Sequence, residues 1–375
     1  LRVLAEETPE GPLLGNTTLL PRDWTRVLSH RRSIWERASR EYGVFVTDEV
    51  LGWTVGRNRK GVGPFGETYF SNEDGLRAPK NGASLRERSS VLRIALLGDS
   101  YTFGEDVSYE DTWGHQLETR LGTDVQVLNF GVPAYGVDQA YLRYLRDVRD
   151  WKPDIVILSF ISHDVVRSGM VYYWIGFAGA AVPGAKPRFS LAGKQLAPLN
   201  LPLPSMEQIH SVSTIGDLPF IELDSAYNSA DWEWHLYQYS YLFRFLISWR
   251  GNPLSTSYEF DADIQQVSEA IFKSFIRTVQ TDGALPMVVF LPEYTEFRHS
   301  FKPLSERDLL GRRVAREAGI EFLDLTSCLE SVGDGDRFTT GWHYTPQANG
   351  VVARCLDQQI TGAGVVGQEQ KSVTQ

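Results

Sequence analysis

Short apolar runs recur between residues 91 and 160 and again between 286 and 325, and alternate with stretches of helical periodicity. Val91–Leu97, Val125–Leu128, Asp154–Phe160, Pro286–Leu291 and Ile320–Leu325 read as strands. Between and after them, Asp111–Leu121 places Trp113, Leu117 and Leu121 on one side, and Asp138–Val148 places Tyr141, Leu142, Leu145 and Val148 on one face. Val267–Thr281, Glu306–Ala318 and Pro346–Ile360 read as further helices, the last opened by a proline suited to a first helical turn. Ile155, Val156, Ile157 and Leu158 are continuously apolar rather than alternating, which predicts a strand covered on both faces. Strands alternating with helices predict right-handed βαβ units and a parallel sheet, here of five strands.

The rest of the chain has a different texture. Residues 1–40 are polar and mixed, with Pro9, Pro12 and Pro21, and read as an arm followed by a helix around Trp24–Tyr42. From Gly43 to about Lys80, short strand-like pieces sit among many Gly, Asn and Asp residues, which predicts a small β-rich lobe. The division expected is therefore an arm and β-rich lobe at 1–90, an α/β domain at 91–164 and 264–362, an insertion at 165–263 and a disordered tail at 363–375. An insertion this long needs structure of its own. Pro187–Leu191 and Lys194–Leu199 read as a hairpin within it, and it follows the third strand.

Composition narrows the function classes. A formal charge of -10 with no Lys/Arg cluster argues against nucleic acid as a partner. No apolar run reaches the length of a membrane span. Cys328 and Cys355 read first as buried free thiols, with one disulfide as the alternative, and they make neither a disulfide scaffold nor a zinc pattern. His30, His115, His210, His235 and His299 show no metal-ligand spacing. The aromatic cluster from Trp232 to Phe243 reads first as core of the insertion and second as a sugar or acyl platform.

Candidate chemistry lies where strands end. The run from Ile94 breaks at Gly98 and presents Asp99 and Ser100 before Gly104. In open α/β sheets that edge is where ligands bind. Asn129–Gly136 follows the second strand, Ile161–Asp164 the third, and Gly341-Trp342-His343 precedes the last helix. Acyl transfer needs a hydroxyl nucleophile, a base for its proton and donors for the oxyanion. Ser100 and His343 can supply the first two, and the backbone N–H groups of Ser100 and of the Gly131–Gly136 turn can supply donors. Asp99 reads as a residue that binds loop backbone, and Asp164 as a loop residue or a partner of Arg167.

Gly-Asp-Ser after the first strand, Asn-x-Gly-x-x-x-x-Gly after the second, a polar loop after the third and a C-terminal His before a helix resemble the SGNH/GDSL hydrolase family. The resemblance spans residues 91–164 and 285–360. It implies a flavodoxin-like three-layer α/β/α fold and hydrolysis or transfer of acyl esters, with Ser100 as nucleophile and His343 as base. It also implies an oxyanion hole of Ser100, Ala134 and His163, although the family carries glycine at the second position and asparagine at the third. A neutral imidazole keeps one N–H donor, so His163 can take the asparagine's part. The family's acid stands three residues before the histidine, where this chain has Thr340. The candidates to replace it are Asp336 or Asp334 from the same loop, Glu293 from after the fourth strand, or a Ser–His dyad oriented by Thr340 or a backbone carbonyl. A dyad or Asp336 is the expectation.

The function expected is a serine-dependent esterase or deacetylase acting through an acyl-enzyme on an O-acylated small molecule, with carbohydrate esters among the candidates. The alternatives are an O-acyltransferase on the same site and a non-catalytic binding protein with a degenerate triad. This chemistry calls for no cofactor and no metal, and oligomeric state is left open. The chain starts at Leu1 without Met, and an extracytoplasmic location (secreted, periplasmic or anchored through a removed N-terminus) is expected.

Overall fold

The computed structural model describes residues 2–9, 11–15, 17–40, 43–63, 65–87, 92–177, 180, 182, 184–193, 195–250, 262–297 and 310–362. These fall into two compact units, one drawn from Leu1–Glu41, Thr47–Trp53 and Gly169–Ile264, the other from Tyr42–Val46, Thr54–Ser168 and Gln265–Gln375. The tail expected to be disordered, 363–375, lies outside the described residues.

The second unit carries the parallel sheet. It opens with a small antiparallel sheet of β1 (Lys60–Val62), β2 (Thr68–Ser71) and β3 (Arg77–Ala78). Then follow β4 (Leu92–Leu97), α1 (Ser100–Phe103), α2 (Trp113–Leu121), β5 (Val125–Asn129), α3 (Val137–Arg143), β6 (Ile155–Phe160) and α4 (Ser162–Arg167). After residues of the first unit come α5 (Ala262–Thr281), β7 (Leu285–Phe290), α6 (Leu310–Glu317), β8 (Leu323–Asp324) and α7 (Pro346–Gly362). The strands lie in the order β5-β4-β6-β7-β8, all parallel, with Ile94 opposite both Val127 and Ile155. This is the expected five-stranded three-layer α/β/α architecture.

Its apolar runs explain it. Every residue of β5 and β6 is buried, which requires cover on both faces. On one face Ile94, Leu96, Val127 and Ile157 pack with Trp113 and Leu117 of α2 and Val352 and Leu356 of α7. On the other, Phe160 meets Phe272 of α5 at 4.8 Å between ring centres. Each fully buried Leu, Ile or Val contributes about 1.5–3 kcal/mol, so Leu96→Asp at the centre of this face would unmake the sheet. Thr345 caps α7 by accepting from the Ala348 N–H at 3.2 Å, with Pro346 in the first turn as expected.

Three local differences have physical reasons. The helix expected over Asp138–Val148 stays regular only to Arg143, then widens over Tyr144–Val148 and tightens at Arg149–Trp151. The fifth strand shrinks to Leu323–Asp324 because, at the sheet's edge, it has one neighbour to pair with. Cys328 and Cys355 are joined in a disulfide rather than free, because the turn at Thr326–Leu329 packs against α7 and brings their Cα atoms to 6.6 Å.

In the first unit, helix Trp24–Arg40 falls with residues 169–264 and with Thr47–Trp53, whereas the rest of the β-rich lobe with which the sequence reading grouped it belongs to the second unit. Val27 of that helix shares a core with Val171, Trp174, Ile175, Met206 and Ile209. Trp24 stacks on Trp174 at 6.3 Å and meets the edge of Trp232 at 6.2 Å. The expected hairpin forms from Phe189–Ala192 and Gln195–Pro198. Of the aromatic cluster, Trp232 joins this packing while Trp234, Tyr239 and Phe243 stay exposed. Among the described residues no helix is long and apolar enough to cross a membrane, and no group of His, Cys, Asp and Glu could hold a metal ion.

Candidate active site

The strand order reverses around β4, with β5 on one side and β6 on the other, and ligands of open α/β sheets bind outside the strand ends at such a point. Ser100 stands there. Gly98, at φ +152°, makes the turn possible, because a Cβ on it would fall 2.2 Å from Thr102 Oγ1 and 2.6 Å from the Ser159 carbonyl oxygen. Asp99 is structural as expected: its Oδ1 accepts from the Tyr101 N–H at 2.9 Å, and its Oδ2 meets Arg167 at 3.1 Å. Arg167 also binds Asp164, again as expected. This buried pairing ties the loop after β6 to the turn after β4.

Ser100 Oγ lies 2.9 Å from His343 Nε2. On the other side of the ring, His343 Nδ1 lies 2.8 Å from Asp106 Oδ2. The three groups form a serine–histidine–aspartate line with the spacing that nucleophile, base and orienting acid require. Thr339 Oγ1 donates to the same Asp106 oxygen at 2.8 Å. Asp106 therefore fills the place that the sequence reading gave to Asp336 or to Thr340. Both of those are exposed; Asp336 binds Thr345 through its backbone carbonyl, and the threonine in contact with the acid is the neighbouring Thr339. Asp334 pairs with Arg337 at 3.0 Å.

The turn after α1 is what delivers Asp106. Gly104 closes the helix in the left-handed region at φ 81°, and Asp106 itself sits at φ 68°, an unusual backbone for a residue with a Cβ. Two residues of the small sheet hold it there. Tyr69 Oη accepts the Asp106 N–H at 2.9 Å, and Arg77 donates to the Val107 carbonyl at 3.1 Å while stacking on Tyr69 and Phe103. Glu105 comes with the same turn, its Oε2 3.5 Å from His343 Nε2. Acids thus stand at both ring nitrogens.

Their charges tune the histidine. Burial opposes the charged imidazolium, but the Asp106 hydrogen bond and the charges of Glu105 and Asp106 outweigh it and hold the His343 pKa above its ordinary value. Burial raises Asp106 as well, yet its bonds to His343 and Thr339 bring its carboxyl below the usual range. Burial pushes Glu105 up.

On the oxyanion side, Ala134 occupies a left-handed position at φ 65° where the family carries glycine. Among the described residues, the N–H groups of Ser100 and Ala134 meet no hydrogen-bond acceptor. Asn129 is structural, accepting from the Gly131 N–H at 2.9 Å and donating to the Thr102 carbonyl at 2.8 Å. His163 Nδ1 lies 2.7 Å from Glu293 Oε1, which also accepts the His163 N–H at 3.0 Å. Burial pushes Glu293 up, but the charge and hydrogen bonds of His163 prevail and keep it below its ordinary value, ionised. A carboxylate only accepts, so His163 Nδ1 carries a proton. Glu293, weighed from sequence as the orienting acid of His343, pairs instead with this second histidine.

Residues 94–193 match the family model described as GDSL-like lipase/acylhydrolase. No curated protein matches the chain in sequence. Solved structures similar to it include a lipase/acylhydrolase from Enterococcus faecalis, at 11% identity over 73% of this chain and 97% of that one with a TM-score of 0.39. An acetylxylan esterase from Geobacillus stearothermophilus is similar at 12% identity over 73% and 95%, TM-score 0.38. A member of the lipolytic protein G-D-S-L family from Veillonella parvula is similar at 12% over 72% and 97%, TM-score 0.35. The family match covers the strand, the Ser100 turn and the loops after the second and third strands, and over that segment the chain is similar to ester-hydrolysing enzymes of the GDSL-like lipase/acylhydrolase family.

Proposed function

We propose that the chain hydrolyses a carboxylic ester of an O-acylated substrate through an acyl-enzyme on Ser100. The observation that carries this reading is the continuous line from Ser100 Oγ through His343 to Asp106, at 2.9 and 2.8 Å. His343 Nε2 takes the Ser100 proton as Oγ attacks the acyl carbon. The oxyanion forms against the N–H groups of Ser100 and Ala134. His163, its Nδ1 held on Glu293, stands at the third position of the hole. Collapse breaks the bond to the alcohol, whose oxygen receives the proton from His343. Water then attacks the acyl-enzyme with His343 again as base, releasing the acid and restoring Ser100.

An alcohol in place of water would make the same site an acyltransferase. The non-catalytic alternative rested on a missing acid, and Asp106 removes its motive. The test is a fluorophosphonate probe with mass mapping, alongside ester turnover. Labelling at Ser100, abolished with turnover in Ser100→Ala, is expected. Turnover unchanged in Ser100→Ala would overturn the reading. Acetylated alcohol appearing at the expense of acetate, when acceptor is added, would identify transfer.

We also propose an extracytoplasmic site of action. The Cys328–Cys355 disulfide supports it, because such bonds persist in oxidising compartments. Recovery of the native protein from the cytoplasmic fraction with both thiols free would refute it.

A further inference from the structure

The alcohol half of the ester has a defined place in this site. When the tetrahedral intermediate collapses, the proton on His343 Nε2 passes to the departing oxygen, which must therefore lie within hydrogen-bond reach of that nitrogen. Glu105 Oε2 lies 3.5 Å from the same nitrogen. The departing alcohol thus leaves past a carboxylate. An alkyl chain finds no partner there and leaves the group desolvated. A second hydroxyl, on the carbon next to the ester oxygen, would find a strong acceptor, since hydrogen bonds to charged groups exceed neutral ones.

The segment that carries His343 supplies a second observation. Trp342, directly before His343 in sequence, is 55% exposed, although its backbone sits in the left-handed region at φ 72°. Tyr101 Oη donates to its carbonyl at 2.7 Å and its own N–H donates to Thr339 at 3.1 Å, so the conformation is held in place. The Tyr294 ring packs against its indole at 4.2 Å between centres. Phe65, 58% exposed, lies against Gly341, where a Cβ would fall 2.4 Å from its ring. A tryptophan kept exposed at the cost of backbone strain stabilises nothing in the fold through its free face. Flat apolar faces beside a hydroxyl acceptor match a sugar ring, which has C–H faces and hydroxyl edges.

We propose that Glu105 and Trp342 form the subsite for the alcohol half of the ester, and that this alcohol is a sugar or similar cyclic polyol whose hydroxyl next to the ester oxygen donates to Glu105. The inference rests on the Ser100–His343 reading of the site.

The test compares trans-2-hydroxycyclohexyl acetate with cyclohexyl acetate, which share ring and acyl group and differ by the neighbouring hydroxyl. The kcat/KM ratio of the pair is insensitive to the fraction of enzyme that folds. In the wild type the ratio is expected to favour the hydroxy ester about 10- to 100-fold, from the strength of a charged hydrogen bond. Glu105→Ala should bring it close to one, and Glu105→Gln, whose amide oxygen still accepts, should keep an intermediate value. Trp342→Ala should raise KM for an acetylated methyl xyloside about three- to tenfold more than for ethyl acetate. A wild-type ratio near one, or a ratio unmoved in Glu105→Ala, overturns the Glu105 subsite while leaving the Ser100 chemistry intact. Equal KM effects in Trp342→Ala overturn the platform. Turnover of both esters that survives Ser100→Ala overturns the reading of the site, and the subsite with it.

Discussion

Asp106→Asn separates a working triad from a dyad. Asp106 Oδ2 accepts from His343 Nδ1 and from Thr339 Oγ1, so it both sets the tautomer and faces the charge that forms on the ring. Asparagine keeps the volume and loses the charge. Two unit charges about 4 Å apart interact by about 4 kcal/mol at an effective dielectric of 20, close to a thousandfold in rate. The equivalent change in a serine protease costs about 10⁴ in turnover, part of it from the wrong tautomer. A loss in kcat of about 10³ to 10⁴ is therefore expected, toward the lower end because Glu105 still supplies negative charge beside Nε2. The pH profile supplies a second, independent reading. With His343 as the proposed base, activity should fall as pH drops through its pKa, which Asp106 and Glu105 hold above the ordinary imidazole value. Removing the Asp106 charge lowers that pKa, so the residual activity of the variant should extend to lower pH than the wild type. The assay is kcat/KM from about pH 5 to 9 on a soluble acetate ester. Asp336→Asn and Thr340→Val serve as controls at exposed positions and should stay within about twofold. A loss under tenfold in Asp106→Asn, or an unmoved acidic limb, would refute the assignment and restore the dyad.

Three further outcomes follow from the same geometry. Glu293→Gln removes the carboxylate that holds the His163 ring and backbone N–H; kcat should fall about 10²- to 10³-fold, as for a lost oxyanion donor, with KM little changed, and a kcat within about twofold of the wild type would show a purely structural pairing. Ala134→Gly relieves a left-handed alanine at φ 65° and should stabilise the protein by about 1 kcal/mol in denaturant unfolding with activity within about threefold, whereas destabilisation would show that the methyl is packed rather than strained. Cys328→Ser opens a disulfide with a sequence separation of 27, and should cost about 3–4 kcal/mol on the chain-entropy scale; unfolding curves identical with and without reductant in the wild type would contradict the bond's contribution.

What could be read from the chain, and what could not, divides by the range of the interactions. The parallel sheet was legible because its evidence is local: Ile155–Phe160 is apolar throughout, and a strand covered on both faces has that composition wherever it sits. Ser100 was legible because the residues that make its turn are its immediate neighbours, Gly98 above all. His343 was legible by family spacing. Its acid was not, because spacing to the histidine was the only rule applied, and that rule leads to Thr340. The contact with Asp106 spans 237 positions and depends on two left-handed residues and on the Tyr69 hydroxyl of a separate sheet. One local signal was nevertheless present. A four-residue helix closed by glycine reverses the chain at once, so whatever follows Gly104 returns toward the residue that opened the helix, and the two residues placed to do so are Glu105 and Asp106. The departures at positions 340 and 163 are then of one kind. In each, the family's side chain is missing from its usual loop and a carboxylate from a distant segment meets a histidine ring nitrogen, Asp106 for His343 and Glu293 for His163. Holding an imidazole ring in place is indifferent to which strand the carboxylate follows so long as it arrives within about 3 Å of the ring nitrogen. A motif position that looks empty is therefore weak evidence of a lost function when acids stand close to the nucleophile along the chain.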